Sequence, residues 1–179
     1  GARFLLGRPE LLRVQARAIA RASREGPVRV LYPMIVRAEQ YRDLRRLFDE
    51  SAAGLAAGEI AHGPMFEVPS ACLNASELLA EADFASLGTN DLVQYLLAVD
   101  RNNEYVADEY RADDPALWLL MERVVAAAAA RGIPVSVCGE MAGEPRWIPR
   151  LMALGLDGVS VSPRMIAGVR EAAAGAPSR

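Results

Sequence analysis

An α/β fold built on a parallel sheet is what this sequence predicts, and three observations predict it. Helix-patterned and strand-patterned segments alternate along the whole chain, and no hairpin signal joins two of the strands. Polar residues able to do chemistry collect just after the strand-patterned runs. Such alternation means parallel strands joined by right-handed crossovers, with ligands beyond the strands' carboxyl ends.

The elements follow in order. Pro9 suits a first helical turn, Leu12, Ala16, Ile19 and Ala20 share one face, and Gly26 stops that helix. Residues 28–35 read as a strand. A helix over about 37–55 turns Tyr41, Leu44, Leu47 and Phe48 inward and fades into a Gly/Ala-rich loop. Residues 65–68 are the next strand, closed by Pro69. Asn74 with Glu77 three residues on predicts a capping box for a short helix to Ala82.

Residues 83–87 are a strand broken by Gly88, followed by Thr89, Asn90 and Asp91 and then by Leu92, Tyr95, Leu96 and Val99 at helical spacing. A carboxamide and a carboxylate there suggest a ligand site, but either could equally cap the helix. After a long polar connection over 101–113, Asp114 caps and Pro115 opens a helix to about 131, with Leu117, Leu120, Val124 and Ala128 inward. A strand over 134–138, a helix over 145–154, a strand over 156–161 and a helix from Ser162 and Pro163 complete five βα units, with a fraying tail after Ala173. A closed eight-stranded barrel takes roughly 250 residues. Five units fit either a small open doubly wound sheet or the last five units of a barrel, and spacing does not decide.

Composition sets bounds. At 179 residues and 52% hydrophobic content the chain can bury a real core, and one domain spanning 1–179 is expected. No apolar run is long enough to cross a bilayer, and a net charge of −3 with scattered basic residues argues against nucleic acid or an acidic membrane as partner. Two cysteines without metal spacing or a disulfide framework point to a reducing cytoplasm. All 20 Lys+Arg residues are Arg, which excludes a lysine Schiff base and a Walker P-loop. Gly1 stands inside what reads as a functional loop, so the chain is expected to be a piece of a longer one.

On a parallel sheet, Glu67, Asn90–Asp91 and Cys138-Gly139-Glu140 fall on one rim. Two carboxylates on adjacent strand ends, completed by Asn and water, suit a hard cation such as Mg²⁺. An ion pair with an Arg is the plainer reading of Glu67, and a small buried hydrophobe that of Cys138. Cys72 reads as core. Arg3 and Arg101 are candidate anion holders, since guanidinium forks match phosphate and carboxylate. His62, placed before a strand on the opposite rim, reads as structural, and Trp118, Trp147 and Phe48 as packing. Neighbouring cations are expected to favour the Cys138 thiolate, but proton donation needs the thiol, so a working pKa near neutral rather than far below is expected.

Several segments resemble one family: Gly1-Ala2-Arg3, Leu31-Tyr32-Pro33-Met34-Ile35, residues 63–71 (Gly-Pro-Met-Phe-Glu-Val-Pro-Ser-Ala), residues 86–101, and Val137-Cys138-Gly139-Glu140-Met141-Ala142-Gly143. They are similar, in order, to the C-terminal barrel domain of Enzyme I, the phosphoenolpyruvate-protein phosphotransferase of the bacterial sugar phosphotransferase system. Gly-Thr-Asn-Asp-Leu is shared with pyruvate phosphate dikinase and phosphoenolpyruvate synthase, whereas Ala-Val-Asp-Arg-Asn-Asn and Cys-Gly-Glu-Met-Ala-Gly point to Enzyme I.

The resemblance implies an incomplete TIM barrel, its C-terminal five βα units, in a cytoplasmic homodimer. It makes Glu67 and Asp91 the Mg²⁺ ligands. It assigns Arg3, Asn90, Asp91 and Arg101 to phosphoenolpyruvate (PEP), and makes Cys138 the acid that protonates the pyruvate enolate. It implies as partners a phosphohistidine domain and, through it, a phosphocarrier protein. That histidine domain and two further phosphate-binding arginines have no counterpart in this sequence, so the chain alone is expected to be inactive. Val93 stands where the family usually has Thr, and Asp113-Asp114-Pro115 where it has His-Pro. The alternatives are a dikinase or synthase fragment, a Mg²⁺-dependent pyruvate-enolate lyase, and a non-catalytic remnant.

Overall fold

The computed structural model describes residues 1–176. Two helices, α1 (Ala2–Gly7) and α2 (Pro9–Ala22), precede β1 (Val28–Tyr32). Then come α3 (Ala38–Ala52), β2 (Ile60–Phe66), α4 (Pro69–Leu73), α5 (Ala75–Leu78), β3 (Ala85–Gly88) and α6 (Thr89–Leu96). The chain ends with α7 (Pro115–Ala129), β4 (Val135–Cys138), α8 (Ile148–Leu154), β5 (Gly158–Val159) and α9 (Ile166–Ala174).

Every pairing is parallel, and the strand order is β1-β2-β3-β4-β5. This order decides between the two architectures left open by spacing. A doubly wound sheet reverses direction at a switch point. Here each strand pairs with the next in sequence, and right-handed crossovers then stack all the helices on one side. The sheet is therefore an arc of a barrel wall, and it is not closed.

The predicted helix faces are buried: Leu12, Ala16 and Ala20 on α2, Tyr41, Leu44 and Phe48 on α3, and Leu117, Leu120, Val124 and Ala128 on α7. Asp114 caps α7 by accepting from Ala116 N at 2.8 Å, as its position before Pro115 predicts. The capping box at Asn74 is not made. Its side-chain amide donates back to Ser70 O at 3.1 Å, because α4 already occupies residues 69–73 and Asn74 is the joint between two short helices.

β2 starts five residues earlier than its expected 65, because Pro64 and Gly63 lie within the strand where they read as a breaker. Gly63 is required there, since a Cβ would meet Phe84 O at 2.4 Å. His62 is consequently inside β2. It is buried, hydrogen-bonded through Nδ1 to Tyr32 OH at 2.9 Å, stacked on Tyr32 and edge-on to Phe48. Burial first, then Arg45, holds its imidazole below its ordinary value, so it is a neutral core group.

Two aspartates clamp the strand register from below. Asp83 donates its backbone N–H to His62 O at 2.8 Å, and its carboxylate accepts from His62 N at 2.7 Å. Asp157 repeats both bonds with Val135, the carboxylate at 2.7 Å.

Among the described residues β1 pairs only with β2, and β5 only with β4. The elements next to these two strands in sequence carry exposed apolar side chains: Phe4, Leu11 and Val14 on α1 and α2, and Met165 and Ile166 before and in α9. Unpaired edges flanked by apolar surface template association. Expressed alone, residues 1–179 should run in light scattering as a species larger than 19.3 kDa. A compact monomer with a cooperative melt would show that these edges are not adhesive.

Candidate active site

The site is built at the carboxyl ends of β2, β3 and β4. Glu67 follows β2 directly and is 4% exposed. Its Oε1 accepts from Met34 N at 2.6 Å. Met34, just past β1, holds φ +56°, a left-handed conformation that a branched-chain-sized residue adopts only when its surroundings enforce it. The plainer reading of Glu67, an ion pair with an arginine, is not what the structure contains. The charge acting on it is instead that of the Asp91 carboxylate. Burial first, and then the Asp91 charge against the opposing Met34 N–H, hold Glu67 above the ordinary carboxyl value. Gly88 makes room for this carboxylate: a Cβ there would lie 2.9 Å from Glu67 Oε2.

Asn90 and Asp91 lie in the first turn of α6, whose N-cap is Gly88 without a side-chain bond. Neither caps the helix, which removes the capping role that the sequence left open for them. Asn90 Oδ1 accepts from Glu140 N at 2.9 Å and faces Tyr110 OH at 3.4 Å. With its oxygen so occupied, the amide nitrogen is the end left for a ligand.

The Cys138-Gly139-Glu140 turn closes the rim. Thr89 Oγ1 donates to Cys138 O at 2.9 Å. Gly139 adopts φ +100° and ψ −179°, and a Cβ would collide with Thr89 Oγ1 at 2.5 Å and Asn90 Oδ1 at 2.8 Å, so only glycine fits. Cys138 is half-buried. Its thiol is held above the usual value, by burial first, with the Glu67 and Asp91 charges adding and a Ser86 hydrogen bond opposing. This corrects the expectation of cations favouring the thiolate: the charges acting on the sulfur are carboxylates, and the resting group is a thiol.

Arg101 stands on the exposed loop after α6, its guanidinium 3.9 Å from Glu140. Ala98, with φ +55°, turns the chain out of α6 toward it. Asn90 and Glu140 line two adjoining clefts, one of about 520 Å³ shared with Cys138 and one of about 530 Å³ shared with Arg101 and Tyr110. Arg3 lies in α1 and is exposed. Its helix is tied to this rim through the backbone, Ala2 N donating to Pro33 O beside Met34, and among the described residues its side chain makes no hydrogen bond or ion pair with the other site residues. Thus Glu67, Asn90, Asp91, Arg101 and Cys138 come together, and Arg3 reaches the rim only by its backbone.

Residues 1–177 match the family model of the PEP-utilising enzyme, PEP-binding domain. The chain belongs to that family. A phosphoenolpyruvate-protein phosphotransferase of Streptococcus equinus is 40% identical over 166 residues, covering 89% of this chain and 29% of that protein. The Haemophilus influenzae protein of the same name is 41% identical over 166 residues, with the same coverage. A multiphosphoryl transfer protein of Rhodobacter capsulatus is 41% identical over 170 residues, 95% of this chain and 21% of that protein. The chain therefore spans less than a third of the length of these curated relatives.

Among solved structures, a citrate lyase from Burkholderia xenovorans superposes with a TM-score of 0.71 at 20% identity, over 90% of this chain and 53% of that one. A pyruvate kinase from Cryptosporidium parvum superposes at 0.64 with 12% identity, over 88% and 34%. At these identities the likeness establishes the fold. No helix of the described residues is long and apolar enough to cross a membrane.

Within this PEP-binding domain, sequence reasoning gave no part to Met34, Tyr110, Ser86 and Ser136. Met34 carries no sequence signal, because its role is a backbone N–H. Ser86 and Ser136 were legible in principle, as polar residues that alternate with Gly88 and Cys138 on one face of β3 and β4.

Proposed function

We propose that this chain is the PEP-binding part of a phosphoenolpyruvate-protein phosphotransferase. With Mg²⁺ it would bind PEP, pass the phosphoryl group to a histidine of a separate domain and release pyruvate, the first step of the sugar phosphotransferase system. On this reading residues 1–179 are one partial barrel domain of a cytoplasmic homodimer, whose phosphohistidine domain serves a phosphocarrier protein.

The observation that carries the proposal is the placement of the Glu67 and Asp91 carboxyls beyond the ends of the paired strands β2 and β3, in a family defined by PEP binding. Two carboxylates so placed are relieved by a cation between them, so the donor set fits a hard divalent ion. Among the described residues no group of three or more His, Cys, Asp or Glu side chains is placed to hold a metal ion, so water and substrate oxygens would have to complete the shell. When bound, the ion supplies charge neutralisation to the transferring phosphoryl group and the enolate.

The chain's own residues do the rest. Arg101 and Arg3 offer guanidinium forks to phosphate and carboxylate. The Asn90 amide nitrogen donates to a substrate oxygen, its orientation set by Glu140 N and Tyr110. Cys138, a thiol at rest, gives its proton to C3 of the enolate.

Calorimetric titration of PEP into the intact protein tests this. Binding should require Mg²⁺, and Arg101→Ala should weaken PEP by about 10–100-fold, the loss of a charge-assisted contact. Mg²⁺ affinity without PEP should stay within about twofold, since Arg101 does not touch the carboxylate pair. PEP affinity indifferent to both Mg²⁺ and Arg101 would remove the assignment.

A further inference from the structure

One buried hydroxyl and one partly buried one run along the sheet to the sulfur of Cys138, and nothing in the substrate site accounts for them. Ser86 on β3 and Ser136 on β4 are register partners across the β3–β4 ladder. Ser136 Oγ lies 3.2 Å from Ser86 Oγ, and Ser86 Oγ lies 3.8 Å from Cys138 Sγ. The thiol in turn donates to Leu87 O at 3.4 Å. Ser86 is 3% exposed, so its hydroxyl has these two side chains and no open solvent to bond. The four groups form a hydrogen-bond chain, Ser136 to Ser86 to Cys138 to the Leu87 carbonyl.

We infer that Ser86, supported by Ser136, is a positioning residue that stabilises the Cys138 thiolate formed when the thiol gives up its proton; this rests on Cys138 being the proton donor proposed above. The step balances as follows. The enolate C3 gains the proton, the S–H bond breaks, and the electron pair stays on sulfur as a thiolate. The Leu87 carbonyl loses its donor, and the Ser86 hydroxyl becomes a charge-assisted donor to sulfur. Water restores the proton after pyruvate leaves.

Ser136 can point to Ala85 O at 3.4 Å or to Ser86. When it donates to Ser86, the Ser86 proton is free to turn to sulfur, and the two bonds polarise each other. The need for such a donor is local. Cys138 is half-buried, and a thiolate formed there loses the Leu87 carbonyl as a partner, so it needs a donor in its place. The Ser86 hydroxyl is the side chain aimed at the sulfur.

The test uses the intact protein with Mg²⁺ and two readouts at one fixed pH. The first is deuterium incorporation at C3 of pyruvate in heavy water. The second is iodoacetamide alkylation of Cys138, which needs no substrate, with Cys72, fully buried in the core, as the internal check that a variant is folded. Ser86→Ala should slow both by about tenfold, the loss of one charge-assisted hydrogen bond, while KM for PEP stays unchanged. Ser86→Thr, which keeps the hydroxyl, should recover to within about twofold. Ser136→Ala should slow both by about two- to threefold, and should add nothing in the Ser86→Ala background, because it acts through Ser86. Wild-type alkylation in folded Ser86→Ala would overturn the inference. Slowed alkylation with unchanged deuterium incorporation would instead overturn Cys138 as proton donor and leave the Ser86–Cys138 bond standing.

Discussion

Glu67→Gln in the intact protein is expected to cut phosphoryl transfer from PEP by about 10²–10³-fold while raising the melting temperature of the metal-free form. The first effect follows from removing one of the two charges that would hold Mg²⁺. The second follows from burial. Glu67 is held above its ordinary carboxyl value of 4.5, mainly by desolvation. Stability that is fully present below that value is therefore lost as pH rises through the raised folded-state value, where the buried group must ionise.

Glutamine does not ionise, and its Oε1 still accepts from Met34 N, so the variant keeps that stability at neutral pH. The gain should be about 2–4 °C for each unit by which the folded value is raised. Thermal melts with and without Mg²⁺, across pH 4–8, measure both halves. Mg²⁺ should stabilise the wild type and not the variant. A variant that melts lower than the wild type without metal, or that still responds to Mg²⁺, would show the carboxylate to be structural.

Cys138→Ala is expected to slow pyruvate formation by about 10²–10⁴-fold, the contribution of a positioned general acid, while PEP still binds. The cysteine is suited to donate because burial and two neighbouring carboxylates keep it a thiol. The alternatives within the chain are few. Lysine is absent, and the single histidine is locked in the core by Tyr32 and Phe48. Glu140 is at the rim but exposed, and its backbone is engaged by Asn90. Transfer of the phosphoryl group should be less affected, because that step does not require protonation at carbon. Transfer rates measured beside deuterium incorporation separate the two. Pyruvate formed at the wild-type rate, with unchanged isotope stereochemistry, would take Cys138 out of the mechanism.

Much of this was legible in the sequence, for identifiable reasons. The alternation of helix and strand, the inward faces of α2, α3 and α7 and the Asp114 cap are written in local periodicity and capping chemistry, which need no partner to be read. The residue types of the site were legible too, since Glu67, Asn90, Asp91 and Cys138 stand where strand patterns end, and parallel strands put those ends on one rim. Boundaries at β2 were misread because Gly63-Pro64 looks like a break, while the close approach of Phe84 makes glycine obligatory inside that strand.

What only the tertiary structure decided is everything that depends on which strand lies beside which. The sequential order made the sheet a barrel arc rather than a doubly wound sheet. It set the Asp91 charge beside Glu67, raised the Cys138 thiol above its usual value where cations were expected to lower it toward neutral, and brought Ser136 and Ser86 into one chain with the sulfur. Local pattern fixes which face a side chain takes. A group's charge state and partners come from burial and from neighbours far along the chain, and those exist only once the strands have paired.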